Sequence, residues 1–362
     1  MTTVNELLNE AGRLKDGDPI KIKLIEQAII SADQSNDLGL KYTSRVSLIE
    51  AATFSGQPEK ALVNFAWCIA QCEKLPEQFP LVNILWKYKY VVDCAIGFHT
   101  ISHAKLVQLM NNMEQHYKQA GFSLRPVHYM RAHLYLNAGQ FEESLQQLQI
   151  SMGLENDRFA DCSACEIHFL VKVLVALKRD QEAIQTALPL IQGNERCAEV
   201  PHLTLSELLI STSRLGNSDL GKMFLTNGYQ LIRDNPEFLH QVGLQMQYCA
   251  THELLDTGLD RLQNHFTWLL TNTDQRGCFE YQLGAAMLLK ALLQRNKNAL
   301  SLRLPNKFEL FNDSAEYDTQ SLFNYFNQRA LTTAKAFDER NGNLFYQQQL
   351  RDKLTTAEEF NV

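Results

Sequence analysis

Leu40–Phe54 (LKYTSRVSLIEAATF) and Glu59–Glu73 (EKALVNFAWCIAQCE) flank a break at Ser55-Gly56-Gln57-Pro58. Each flank repeats apolar residues at three- and four-residue spacing, the signature of an amphipathic helix. A four-residue break between two helices has room only for a tight turn, so the pair reads as an antiparallel helical hairpin. The layout recurs as Val127–Ala138 with Phe141–Ser151, as Cys165–Leu177 with Gln181–Ile191, and as His202–Leu215 with Ser218–Ile232. Their breaks are Gly139-Gln140, Lys178-Arg179-Asp180 and Gly216-Asn217.

One position in the second helix of each hairpin carries a small residue: Ala61, Ala104, Ser144, Ala183, Gly221 and Gly258, at spacings that fall from 43 to 37 residues. A small residue lets the second helix approach its partner closely, which is a packing reason for the repetition. The chain has 362 residues, only 17 of them Gly and 9 Pro, which leaves little room for an all-β fold. With 34 basic and 41 acidic residues the net charge is −7, without the basic stripe of a nucleic-acid binder. The start lacks a basic and then apolar leader, and no apolar run reaches 18 residues; the strongest, around Phe169–Leu177, is broken by Lys172. The expectation is a cytoplasmic protein with no nucleic-acid or membrane partner.

The unit around Ala132, Tyr135, Gly139 and Ser144, and the run Gly56-Gln57-Pro58-Glu59-Lys60-Ala61-Leu62 with Phe65, resemble the tetratricopeptide-repeat superfamily over residues 38–275. The spacing is nearer 40 than 34, and the Pro that closes each repeat is mostly absent. The resemblance implies an all-α, right-handed superhelical solenoid of about seven antiparallel hairpins. The expected organisation is N-terminal capping helices over 1–37, the solenoid over 38–295, and a loop with C-terminal capping helices over 296–362. Within the last part, 296–318 reads as a loop, followed by helices Thr319–Arg340 and Leu344–Leu354 split by Asn341-Gly342-Asn343.

Eight cysteines in a chain without a leader read as thiols or metal ligands before disulfides. Cys162 and Cys165 form a C-x2-C at the start of one first helix; Cys197 and His202 form a C-x4-H at the start of the next. Corresponding helix starts in adjacent hairpins lie about 10 Å apart, so the two pairs converge. Three thiolates and one imidazole match a closed structural zinc site. Buried free thiols and a redox dithiol are the other readings, although such a dithiol normally sits on a thioredoxin-like sheet. Cys68, Cys72, Cys94, Cys249 and Cys278 read as packed residues. The arrangement, with Glu199-Val200-Pro201-His202 and Ala336-Phe337-Asp338-Glu339-Arg340-Asn341-Gly342, resembles bacterial tetratricopeptide-like proteins.

No phosphate loop, nucleophile elbow or kinase signature is present, and His252-Glu253-Leu254-Leu255-Asp256 lacks the second His of a zinc-protease helix, so no enzyme activity is expected. A groove lined by first helices is where a partner would bind. Its candidates are Asn83, Lys87 and Tyr90 from the Trp86–Tyr90 run (WKYKY), and His128, Arg131 and Tyr135, which compete with the stripe Arg125, Tyr129 and His133 for the same face. The bland alternative is that the charges are solvated and the aromatics packed between hairpins. Basic residues in an acidic protein suit an acidic peptide or a terminal carboxylate. The function expected is a protein- or peptide-binding scaffold; the alternative is a peptide-responsive sensor like the helical-repeat receptors of bacteria.

Overall fold

The computed structural model describes residues 3–355. These form two compact units, one made of residues up to 137 with 143–160 and 234–237, the other of 138–142, 161–233 and 238 onward. Apart from one short strand pair, the described residues are all-α in their regular structure. The first and last few positions assigned to the capping helices, 1–2 and 356–362, lie outside the described residues.

In the first unit, α1 (Val4–Gly12) opens with Thr3 in a reciprocal capping box with Glu6, and α2 (Pro19–Asp33) opens with Asp18 as cap and proline at its first position. Leu7, Ala28 and Ala32 join them in a small apolar cluster. The hairpins follow: α3 (Leu38–Thr53) with α4 (Pro58–Lys74), α5 (Lys87–Ile96) with α6 (His103–Gln119), and α7 (Arg125–Asn137) with α8 (Phe141–Gly153). Ser144 Oγ donates to the carbonyl of Ala132 at 2.8 Å and Ser151 Oγ to that of Arg125 at 2.9 Å, which ties α8 to α7.

The second unit continues with α9 (Ser163–Ala176), α10 (Asp180–Thr186) and α11 (Leu188–Ile191). Pro189 separates α10 from α11, because it has no N–H to donate back along the helix. Then come α12 (His202–Glu207), α13 (Leu209–Arg214), α14 (Ser218–Ile232), α15 (Leu239–Thr251), α16 (Leu255–Thr271) and α17 (Gln275–Gln294).

A backbone repeat underlies five of these turns. Gly56, Gly139, Lys178, Gly216 and Glu253 have φ between +58° and +76°. Each lies five residues before a buried small residue: Ala61, Ser144, Ala183, Gly221 and Gly258. At four of the turns the next residue donates its N–H to a carbonyl five residues back: Gln57 to Ala52, Arg179 to Leu174, Asn217 to Thr212 and Leu254 to Cys249, at 2.9–3.2 Å. This is the Schellman closure of a helix C-terminus, and it aims the chain back along the helix it has just left. The small residue five positions on then meets the first helix. A Cβ at Gly221 would lie 2.8 Å from Thr212 Oγ1 of its own first helix and 2.2 Å from the Tyr248 hydroxyl of α15; one at Gly258 would lie 3.3 Å from Cys249 Cβ and 2.6 Å from Leu288 of α17. Ala104 departs from this pattern: it is exposed, no left-handed residue precedes it, and Leu106, Met110 and Met113 form the buried face of α6 instead.

The segment 296–318, expected as a loop, contains the antiparallel pair β1 (Ala299–Ser301) and β2 (Glu316–Asp318), with Leu300 opposite Tyr317. Leu300, Leu302, Leu304, Phe308 and Tyr317 enter the same core as Phe266, Phe279 and Phe326, and that burial orders a stretch that mixes Asn and Asp with Pro305. The closing helices are α18 (Thr319–Asn341) and α19 (Phe345–Leu354), parted by Gly342 at φ +69°. Asp338, 2% exposed, accepts the backbone N–H groups of Tyr346 at 2.8 Å and Gln347 at 3.0 Å, so it satisfies the free N-terminus of α19. Asp338→Ala is therefore expected to cost roughly 2–3 kcal/mol in denaturant unfolding. A loss under roughly 0.5 kcal/mol would show that solvent replaces this cap.

Candidate metal centre

Cys162 is the N-cap of α9 with extended backbone, and Cys165 follows one turn later. After α11, Gly193 at φ +75° turns the chain, and the N–H groups of Asn194 and Glu195 both donate to the Pro189 carbonyl, at 2.9 and 3.0 Å. The chain then runs back past the start of α9, where Ser163 Oγ donates to the Glu195 carboxylate. Cys197 N–H donates to Val200 O at 3.0 Å, and the Val200–Pro201 peptide is cis. Val200 packs with Ala164 and Leu190 in an apolar cluster that includes Cys165 at its margin.

The Sγ atoms of Cys162, Cys165 and Cys197 consequently lie within 4.8 Å of one another, with Cys162 Sγ donating to Cys165 Sγ at 3.3 Å. Three sulfurs about 2.3 Å from one ion at tetrahedral angles lie about 3.8 Å apart, so the donor set fits a metal ion after sub-ångström adjustment. Cys162 and Cys197 are exposed and Cys165 is half-buried; among the described residues this is the cluster of His, Cys, Asp and Glu with metal-holding spacing. Burial, and then the neighbouring thiols Cys162 and Cys197 with Asp161, push the Cys165 thiol up. A bound cation acts in the opposite sense, because it is coordinated by the thiolate.

His202 starts α12 and stands outside the three-sulfur group. Its ring stacks on Phe238 with centroids 5.7 Å apart and 19° between planes, and its Nδ1 is buried without a hydrogen-bond partner. Burial lowers its pKa, which favours the neutral imidazole that a metal ligand requires. Of the other cysteines, Cys68, Cys72, Cys94 and Cys249 are buried and Cys278 is half-buried.

The six residues assigned to a partner groove all lie in the first unit. Asn83 is exposed and Tyr135 half-buried. Lys87 pairs with Glu50 and also sits 5.3 Å over the Tyr90 ring, while Tyr90 accepts a hydrogen bond from Trp86 Nε1 at 3.0 Å. His128 Nδ1 lies 2.8 Å from Gln147 Oε1, and Arg131 pairs with Glu114. The positive charges of Lys87 and Arg131 are thus already balanced within the chain. In the competing stripe, Arg125 and Tyr129 are buried, Arg125 donates to the carbonyls of Met152 and Leu154, and His133 lies 3.3 Å from Asp93.

A second polar cluster, absent from the sequence reading, occupies the first helices of the second unit. Glu207 on α12 lies 3.6 Å from Lys172 on α9 and 3.5 Å from His240 on α15, with its side chain 12% exposed. Burial opposes its ionisation, but Lys172, then His240 and His168, outweigh it and hold the carboxyl well below the usual range. The signal was present in the sequence: a lone Lys172 inside an apolar helix needs an anionic partner, but only the fold identifies it as Glu207. Because the folded-state pKa is depressed, Glu207 contributes stability that is present above its ordinary value of 4.5 and is lost as pH falls below it. Glu207→Gln should lower stability at pH 7 by roughly 1–2 kcal/mol and flatten the acid limb of the stability–pH curve. An acid limb identical to wild type would remove Glu207 from that role.

No family model matches the chain, and no curated protein matches it. No helix among the described residues is long and apolar enough to cross a membrane.

Proposed function

We propose that the protein is a non-enzymatic interaction scaffold, a tetratricopeptide-like array of helical hairpins that stack in a right-handed superhelix and bind a protein or peptide segment on the face of their first helices. The observation that carries this reading is the recurring turn: a left-handed residue followed five positions later by a buried small residue, five times over. Hairpins built alike bury their apolar faces against one another and leave a continuous polar face available to a partner. Lys87 and Arg131 would receive an acidic segment by exchanging Glu50 and Glu114 for the partner's carboxylates. We further propose zinc as the ion at the thiol cluster, with His202 turning from Phe238 to supply the fourth ligand through Nδ1. Three thiolates and an imidazole close the coordination sphere, which suits a structural clamp between α9 and the loop before α12.

Mass spectrometry of the denatured, freshly purified chain tests the scaffold reading. A defined set of acidic peptides is expected to accompany the wild type and to fall about tenfold in Lys87→Glu/Arg131→Glu. Retention of the same peptides by the double variant would refute the groove assignment.

A further inference from the structure

We propose that Cys162 and Cys165 are a reversible oxidation site: a peroxide converts them to a disulfide, and that disulfide and the bound metal exclude each other. The metal half of this proposal rests on the zinc reading above, whereas the dithiol half stands on the thiol geometry alone. Cys162 is exposed at the very start of α9, where an oxidant reaches its sulfur without any opening of the fold. Its Sγ already contacts Cys165 Sγ at 3.3 Å, so bond formation at about 2.05 Å needs an approach of only about 1.3 Å. Cys162 caps α9 and Cys165 lies in its first turn, so the backbone of one helix end keeps the pair together whatever the loop before α12 does. Cys68, Cys72, Cys94 and Cys249 are buried and do not offer a comparable sulfur to solvent.

In the chemistry, the Cys162 thiolate attacks one oxygen of hydrogen peroxide. The O–O bond breaks, hydroxide leaves, and a sulfenic acid forms at Cys162. Cys165 sulfur then displaces the sulfenic hydroxyl, which leaves as water with the thiol proton, and the S–S bond forms. Two thiols lose two electrons, and one peroxide becomes two waters. Starting from the metal-bound form, the same oxidation uses up two of the three sulfurs. Cys197 and His202 remain, two ligands where a closed site needs four, and the ion is released. A thiol reductant reverses the step and restores the site.

The test uses the full chain, stripped of metal by chelator and treated with hydrogen peroxide before alkylation and peptide mass analysis. Alkylation of both Cys162 and Cys165 should fall about tenfold, a peptide lighter by two hydrogens should carry the pair, and dithiothreitol should restore alkylation. In Cys197→Ser the disulfide should still form; in Cys165→Ser a cyclic-diketone probe should trap a sulfenic acid at Cys162. With zinc-loaded protein, peroxide should release one ion per disulfide formed into a chromogenic chelator. Cys162 and Cys165 that stay alkylatable after peroxide, or a disulfide that needs Cys197, would overturn the proposal. Protein that binds no zinc yet forms the disulfide would overturn the zinc reading and leave the oxidation site in place.

Discussion

Metal analysis of the full chain purified without chelator returns about one zinc per chain, and Cys197→Ser returns essentially none: this is the expected result with the largest effect. Cys197 is the residue to remove, because Cys162 and Cys165 share the N-terminal end of α9, and only Cys197 would carry the link across to the loop before α12. Without it, two sulfurs on one helix turn cannot hold a tetrahedral ion. In small domains such sites stabilise by on the order of 10 kcal/mol. Here Ala164, Leu190 and Val200 pack against Cys165 and the Glu195–Ser163 bond holds the loop, so the fold is expected to persist without an ion. The variant should show a lower melting temperature together with faster amide exchange over residues 192–201, and unchanged exchange in α17. Wild-type protein with less than about 0.2 zinc per chain would sink the zinc assignment.

Gly243→Ala is expected to be the most damaging single methyl in the second unit. A Cβ at Gly243 would stand 2.4 Å from the Glu280 carbonyl carbon and 2.6 Å from Tyr281 N, and one at Gly284 would stand 2.5 Å from the Gly243 oxygen. The obstacle is backbone, so no rotamer change relieves it, and α15 and α17 must separate along their length. Separation loosens Val242, Met246, Phe279 and Leu283, all fully buried in one core. Alanine gains roughly 1 kcal/mol in helix propensity over glycine, yet the net effect should be a loss of about 3 kcal/mol. Gly12→Ala is the control: nothing lies within 4 Å of its added Cβ, and a stabilisation of roughly 0.5–1 kcal/mol is expected. If both variants shift the urea midpoint upward, the close crossing of α15 and α17 is not a constraint on this fold.

Local structure was legible because its causes are local. The hairpin Leu40–Phe54 with Glu59–Glu73 is found as α3 and α4 within two residues at each end, and Asn341-Gly342-Asn343 parts α18 from α19 as its glycine requires. Apolar period, caps and glycine act over four or five residues, which one stretch of sequence displays in full. The turns at Lys178 and Glu253 show where this runs out: both adopt the left-handed conformation without glycine, held there by the Schellman bond and by the small residue that must dock five positions later. Ala104 shows the converse, a small residue at the right spacing whose helix presents another face to the core.

What the sequence by itself determined is therefore the helices, their short turns and the identity of the thiols worth watching. The tertiary structure alone decided what those residues meet. The strand pair 299–301 with 316–318 joins residues across an intervening loop and exists because Leu300 and Tyr317 share a core with Phe266 and Phe326. Lys87 and Arg131 found Glu50 and Glu114, and Lys172 found Glu207, because a half-buried charge takes the carboxylate that packing brings within reach. Cys162, Cys165 and Cys197 converge because the segment 192–200 folds back past the start of α9, while the His202 ring stacks on Phe238 instead. Spacing in a sequence can propose ligands; only the packing of two helices and one loop sets how far apart their side chains stand.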